Sequence, residues 1–222
     1  MDKKFCIFDM DGTITDSMGC WRNLGREFLA AKGVTEGVDE VMKKIKPLTL
    51  AESAVLFVET FDLPVSPREA LVEMAEMMRR HYIEDIPLRP GIEIYLEKLI
   101  DCGRVRAGIA TATDRELATM CLSRLGVMKY FDFIVSCEDV GKNKNSPDVY
   151  FEACRAFGVP DLDIRDVAVY EDAYFAGRTA KNEGFYTVAV FEEGRENNWE
   201  KFTAIADEAA TYWEAAAREL ER

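Results

Sequence analysis

The sequence predicts an α/β protein: a parallel β-sheet with helices packed on it, interrupted near its start by an all-helical insertion. Three observations lead there. From residue 91 onward short apolar runs alternate with helix-period stretches, the pattern of right-handed βαβ units. Four apolar residues, Phe5 to Phe8, run straight into Asp9-Met10-Asp11-Gly12-Thr13, as a buried strand does when its end faces a crevice. Between these two regions, over residues 17–86, helix-period patterns dominate and few residues suit a strand.

The elements follow in order. The first strand delivers two carboxylates, Asp9 and Asp11. Neighbouring strand residues point to opposite faces, so residues two apart can share one space, and Gly12 lets the backbone turn away. The insertion is expected to hold helices at 21–31, 38–45, 50–61 and 67–82, the last with Ser66 as N-cap and Pro67 at its first position. Leu88-Arg89-Pro90-Gly91 marks the return to the sheet, and the two crossings, near Ser17 and near Pro87, would form a hinge. Beyond it we expect helices at 92–102, 115–125, 148–157 and 173–183, and strands at 105–111, 133–136, 167–170 and 186–191. The tail, 199–220, reads as mostly helical with one short edge strand near Ala209. Ligands of such sheets bind beyond the carboxyl ends of the strands, so those ends are where the chemistry is sought.

Composition narrows the function. The 222 residues suffice for one domain carrying an insertion. With 41 acidic residues against 28 basic, the formal charge of −13 disfavours nucleic acid and anionic membrane as partners. An anionic substrate would need a divalent cation or a placed lysine beside those acids. The cysteines at 6, 20, 102, 121, 137 and 154 lack paired metal-ligand spacing and read as reduced core thiols rather than disulfides or a zinc site. Met1-Asp2-Lys3-Lys4 leads directly into the first strand without a signal peptide, and no apolar run spans a bilayer. A soluble cytoplasmic protein is the expectation.

Four strand ends carry candidate chemistry. The Asp9/Asp11 pair suits nucleophile and acid–base work on a phosphate ester, or an Asx-type turn whose acids cap backbone amides. Thr111-Ala112-Thr113-Asp114 places a hydroxyl and a following N–H where a phosphoryl oxygen can be held without added charge; alternatively Thr113 caps the next helix. The loop from Gly141 to Asp148 offers Lys142 and Lys144, either a charge-balancing ammonium or a solvated basic turn. The apolar run 167–170 stops in Glu171-Asp172, acids that suit magnesium, which prefers oxygen ligands, and that also stabilise a helix N-terminus.

In this order the four stretches resemble the motifs of the haloacid dehalogenase superfamily. The likeness is to its helical-cap branch of phosphoglycolate phosphatases, β-phosphoglucomutases and related sugar-phosphate phosphatases. The resemblance implies a Rossmann-like parallel-sheet core, 1–16 and 87–222, with an inserted all-helical cap domain, 17–86. It implies that Asp9 is the nucleophile, forming an aspartyl-phosphate, and that Asp11 is the general acid and base. Thr111, the Ala112 N–H and Lys144 would hold the phosphate, Lys144 being selected by counting back from Pro147-Asp148, with Lys142 as rival. Asp9, the Asp11 carbonyl and Asp172 would hold Mg2+, and Glu171 would orient a metal-bound water. The chain departs from the usual pattern at Asn145, where a proline is common, and at Ala173, where many relatives have serine.

The implied function is magnesium-dependent hydrolysis of a small phosphate monoester. A phosphomutase is the alternative, and a non-catalytic phosphoester-binding protein a more distant one. The stretch from Lys43 to Leu50 does not match the Gly-x-Ser-Arg-like loop of β-phosphoglucomutases, which favours hydrolysis. Lys43, Lys44, Lys46, Trp21, Arg22 and Arg26 either meet the substrate or form a solvated face. His81, the only histidine, reads as a cap-helix residue rather than a catalyst.

Overall fold

The computed structural model describes residues 3–46, 48–101, 105–194 and 196–220. The expectations that touch Met1, Asp2, Pro47 and Cys102 lie outside those residues. The chain forms two compact units, Met1–Asp16 with Pro87–Arg222, and Ser17–Ile86.

The first unit is built on a six-stranded sheet of order β3-β2-β1-β4-β5-β6, parallel throughout. Its strands are β1 (Phe5–Phe8), β2 (Arg106–Thr111), β3 (Ile134–Ser136), β4 (Val167–Glu171), β5 (Tyr186–Val190) and β6 (Glu208–Ala210). β1 is central, paired with β2 on one side and β4 on the other, and Cys6, Ile7 and Phe8 are fully buried. That burial is why these strands read as continuous apolar runs rather than alternating ones. The chain winds outward from β1 to β3, then returns to lay β4 beside β1, so the strand order reverses between them. A crevice at the carboxyl ends of β1 and β4 follows from that topology. The register Phe8↔Tyr170 brings Asp9, one residue past β1, level with Glu171 at the end of β4.

The helices of this unit, numbered after the four of the second, are α5 (Ile92–Asp101), α6 (Arg115–Arg124), α7 (Cys137–Val140), α8 (Asp148–Ala156), α9 (Tyr174–Glu183), α10 (Glu196–Thr203) and α11 (Trp213–Glu219). α8 packs on β2 and β3, and α9 on β4 and β5. The short α7, absent from the sequence expectation, starts at a capping box in which Ser136 accepts from the Glu138 N–H and Asp139 accepts from the Ser136 N–H. The tail is two helices parted by the short edge strand β6, at the place the sequence suggests near Ala209. Asp207 fixes the break, its N–H donating to the Thr187 carbonyl and its carboxylate accepting from the Thr187 N–H at 2.8 Å. Where the chain leaves and re-enters this unit, Thr15 bridges Leu88 antiparallel and the Asp16 N–H donates to the Pro87 carbonyl at 2.9 Å.

The second unit is helical: α1 (Met18–Ala31), α2 (Val38–Ile45), α3 (Leu50–Phe61) and α4 (Pro67–Glu84). α3 and α4 open with reciprocal capping boxes, Thr49 with Glu52 and Ser66 with Glu69, and Pro67 sits in the first turn of α4. α1 starts at Met18, three residues before its apolar period becomes visible, because the Trp21 N–H already donates to the Ser17 carbonyl. Gly25 is what lets α1 approach α3: a Cβ there would lie 2.7 Å from the Phe57 ring. Of the described cysteines, Cys6, Cys121 and Cys154 are buried thiols as expected, whereas Cys20 and Cys137 are only half-buried; none of the five is in a disulfide. Among the described residues no helix is long and apolar enough to cross a membrane.

Candidate active site

The site begins with the turn after β1. The Asp9 N–H donates to the Tyr170 carbonyl at 2.9 Å, extending the β1–β4 ladder by one residue. The chain then folds on itself. The Met10 carbonyl accepts from the N–H groups of Ile14 and Thr15, both at 2.9 Å, and from the Thr15 hydroxyl at 3.1 Å. Gly12 closes the turn at φ 85°, a left-handed conformation costly for residues with a Cβ. From far along the chain the Trp213 indole N–H donates to the Thr13 carbonyl at 3.1 Å. Every one of these bonds fixes backbone, leaving the carboxylates of Asp9 and Asp11 for other work.

Lys144 enters from the loop between α7 and α8 and is 5% exposed. Its ammonium donates to Asp9 Oδ1 and, at 2.8 Å, to Glu171 Oε1. The Tyr150 hydroxyl on α8 donates to the same Glu171 oxygen at 2.7 Å. Asp172 follows at the β4 end, also buried, and Asp9, Glu171 and Asp172 offer carboxylate oxygens all within 4.8 Å of one another. Acids 163 positions apart in sequence therefore meet because β1 and β4 are neighbours in register.

The charges explain the protonation states. Burial works against the Lys144 ammonium, but the facing carboxylates of Asp9 and Glu171 outweigh it and hold the group charged well above the ordinary lysine range. Burial pushes the Glu171 carboxyl up to about 7, with Lys144 pulling it down and Asp9 pushing it further up. Three carboxylates against one ammonium leave an excess of negative charge in a buried space. Asp9 Oδ2 is buried and has no hydrogen-bond partner among the described residues. An all-oxygen donor set with an oxygen still to be satisfied fits a hard divalent cation.

Asp11 is half-buried and accepts from the Thr113 hydroxyl at 2.6 Å. The Thr113 N–H in turn donates to the buried Thr111 hydroxyl at 3.0 Å, while Ala112 between them is exposed. Thr113 is thus not the cap of α6. Asp114 is, accepting from the Leu117 N–H at 2.9 Å. Lys142, the rival lysine, lies at the surface paired with Asp148 at 3.0 Å.

Asp9, Lys144, Glu171 and Asp172 are brought together, Asp11 and Thr111 are linked through Thr113, and Lys142 stands apart. Tyr150 escaped the sequence reading, although a polar-tipped ring on a helix face otherwise occupied by Val149, Ala153 and Cys154 needs a partner for its hydroxyl. Trp213 gave no sequence signal. In the helical unit, Arg26 is spent on Asp39 at 2.6 Å, the lysines at 43, 44 and 46 are exposed, and the Trp21 indole donates to the Tyr82 hydroxyl at 3.0 Å.

This fold and this strand-end cluster define a class. The model of the family described as haloacid dehalogenase-like hydrolase matches residues 6–190. The chain belongs to that family and is an enzyme of it. It is similar to the fructose-1-phosphate phosphatase YqaB of Escherichia coli (strain K12), 26% identical over 184 residues, 83% of this chain and 94% of that protein. It is also similar to the beta-phosphoglucomutase of Bacillus subtilis (strain 168), 26% identical over 200 residues, 84% of this chain and 83% of that one. Among solved structures, a HAD-superfamily hydrolase of subfamily IA from Geobacter sulfurreducens PCA shares the fold with a TM-score of 0.73 at 20% identity, covering 99% of this chain and 97% of the other.

Proposed function

We propose that the protein is a magnesium-dependent phosphatase of small phosphate monoesters, sugar-phosphate or phosphoglycolate-like, acting through an aspartyl-phosphate on Asp9. The observation that carries this reading is the buried Lys144 ammonium shared between Asp9 and Glu171 with Asp172 alongside. A carboxylate so compensated can approach an anionic phosphoryl group that bare acids would repel.

Asp9 attacks phosphorus through a carboxylate oxygen, the ester P–O bond breaks, and Asp11 donates its proton to the leaving alkoxide. Water then attacks the phosphoryl group on Asp9 as Asp11 takes back a proton, and inorganic phosphate leaves. The Thr113 hydroxyl holds Asp11 in place for both transfers. Thr111 and the Ala112 N–H supply neutral donors to the phosphoryl oxygens, and Lys144 supplies the charged one. Asp9, the Asp11 carbonyl and Asp172 would hold the magnesium ion, with Glu171 beside it. When bound, the ion adds the positive charge that neutralises the phosphoryl oxygens. We assign residues 1–16 and 87–222 as the catalytic core and 17–86 as the helical cap that selects the substrate.

A screen of phosphate monoesters for released phosphate, with and without Mg2+, tests this when run beside Asp9→Asn. At least one ester should be hydrolysed by the wild type, with activity falling on the order of 10³-fold or more in the variant. Equal activity in both would remove Asp9 from its role. Phosphate moved within a sugar phosphate, with little released, would make the protein a mutase like its Bacillus relative.

A further inference from the structure

We propose that Cys20, His81 and Asp85 form a second metal site, in the helical unit, for a borderline dication of the zinc type, with Glu27 as the carboxylate that orients the histidine. This site is independent of the phosphatase reading. Cys20 and Glu27 lie seven residues apart on α1 and so share a face; His81 and Asp85 lie four apart at the end of α4, and α1 packs on α4. A sulfur, a ring nitrogen and a carboxylate oxygen from Cys20, His81 and Asp85 all fall within 4.8 Å of one another.

His81 Nδ1 stands 2.9 and 3.0 Å from the two Asp85 oxygens, and Nε2 stands 2.8 Å from Glu27 Oε2. A neutral imidazole carries one N–H, so it can satisfy one of these carboxylates and must turn a lone pair on the other. Either a second proton or a metal ion resolves the conflict. With the Nε2–H given to Glu27, Nδ1 faces Asp85 as a ligand, the carboxylate–histidine–metal arrangement that fixes tautomer and ring plane. Cys20 adds a soft donor, and a sulfur, nitrogen and oxygen set selects zinc-type ions over magnesium. Binding displaces the Cys20 thiol proton and any proton on Nδ1 to solvent. Three protein ligands leave a fourth tetrahedral position for water, which the half-buried setting of Cys20 and His81 admits.

The sequence alone hides this site because its ligands have no short spacing: Cys20 and His81 lie 61 positions apart. The test uses the full chain, reduced and chelator-treated, titrated with Co2+ in the presence of excess Mg2+. A thiolate-to-cobalt charge-transfer absorption should rise to one equivalent, vanish on addition of zinc, vanish in Cys20→Ser, and persist in Asp9→Asn. Glu27→Gln should keep the absorption but weaken cobalt affinity about 10–100-fold, as loss of an orienting carboxylate does. Circular dichroism of metal-free Cys20→Ser should match the wild type. No thiolate absorption in the wild type, or one that survives Cys20→Ser, would overturn the proposal; so would unchanged cobalt affinity in His81→Gln.

Discussion

Lys144 in the sheet unit and His81 in the helical unit, taken free of metal, are built alike: each is a cation held between two carboxylates. Lys144 lies between Asp9 and Glu171, and His81 between Glu27 and Asp85. They differ in solvent. The side chains of Lys144, Asp9 and Glu171 are 6%, 7% and 1% exposed, whereas Glu27 and Asp85 are 44% and 61% exposed. Water can readily replace His81 around its exposed partners, whereas little water can take the place of Lys144 beside its buried ones. The same arrangement is therefore obligatory in one unit and optional in the other, and only the optional one is free to lose its charge or exchange it for a metal.

The largest expected effect follows from breaking the buried member. Lys144→Met keeps the volume and removes the ammonium, leaving Asp9 and Glu171 buried and uncompensated; removing one partner of a buried pair costs about 3–5 kcal/mol. The melting temperature and denaturant midpoint should fall accordingly, and phosphatase turnover should drop by about 10²–10³-fold, as for loss of one preorganised donor. Lys142→Met, two residues away but at the surface, should stay within about 0.5 kcal/mol of the wild type. Equal destabilisation by the two variants would end the distinction between buried and exposed pairs.

A smaller loss is expected at Tyr150, beside the same buried pair. Tyr150→Phe deletes one hydroxyl, with no new cavity, from the oxygen of Glu171 that also receives Lys144. The buried carboxylate loses a donor that water cannot replace, so denaturant unfolding should show a loss of about 1–3 kcal/mol. A change within error would mean that Lys144 alone satisfies Glu171.

What could be read from the sequence follows the same division between local and distant. The capping box at Ser66 and Glu69 with Pro67 is complete within four residues, so the start of α4 was legible. Acids ending an apolar run mark a strand end facing a crevice, so the positions of Asp9 and Asp172 were legible as well, and topology alone brings them together. The four-residue α7 is shorter than any window in which a helical period can show. Of the two lysines in that polar loop, Lys144 is buried and Lys142 exposed, a difference their sequence context does not reveal. Pairings across the fold, such as Tyr150 with Glu171, Trp213 with Thr13 and Cys20 with His81, depend on packing that no local pattern encodes.

The smallest expected effect lies at the exposed member, and its pH dependence has a definite sign. The hydrogen bond His81 donates to Glu27 raises the His81 pKa above the ordinary 6.5, burial opposes it, and Asp85 adds to the rise. Glu27 and Cys20 face the ring from α1, and Asp85 faces it from its own helix end. The metal-free folded state thus binds the His81 proton more tightly than the unfolded chain does. Its contribution to stability is complete below about pH 6.5, declines as pH rises through the folded-state pKa, and is absent above it. Because the partners are exposed, it should not exceed about 1 kcal/mol. In chelator-treated protein, the melting temperature of wild type minus that of His81→Gln should be positive at pH 5.5 and shrink steadily toward pH 9. Lys144 stays charged across that interval, so wild type minus Lys144→Met should show no comparable decline. A His81 difference that is flat or grows with pH would mean that the ring sits neutral between its carboxylates, and the likeness between the two clamps would not hold.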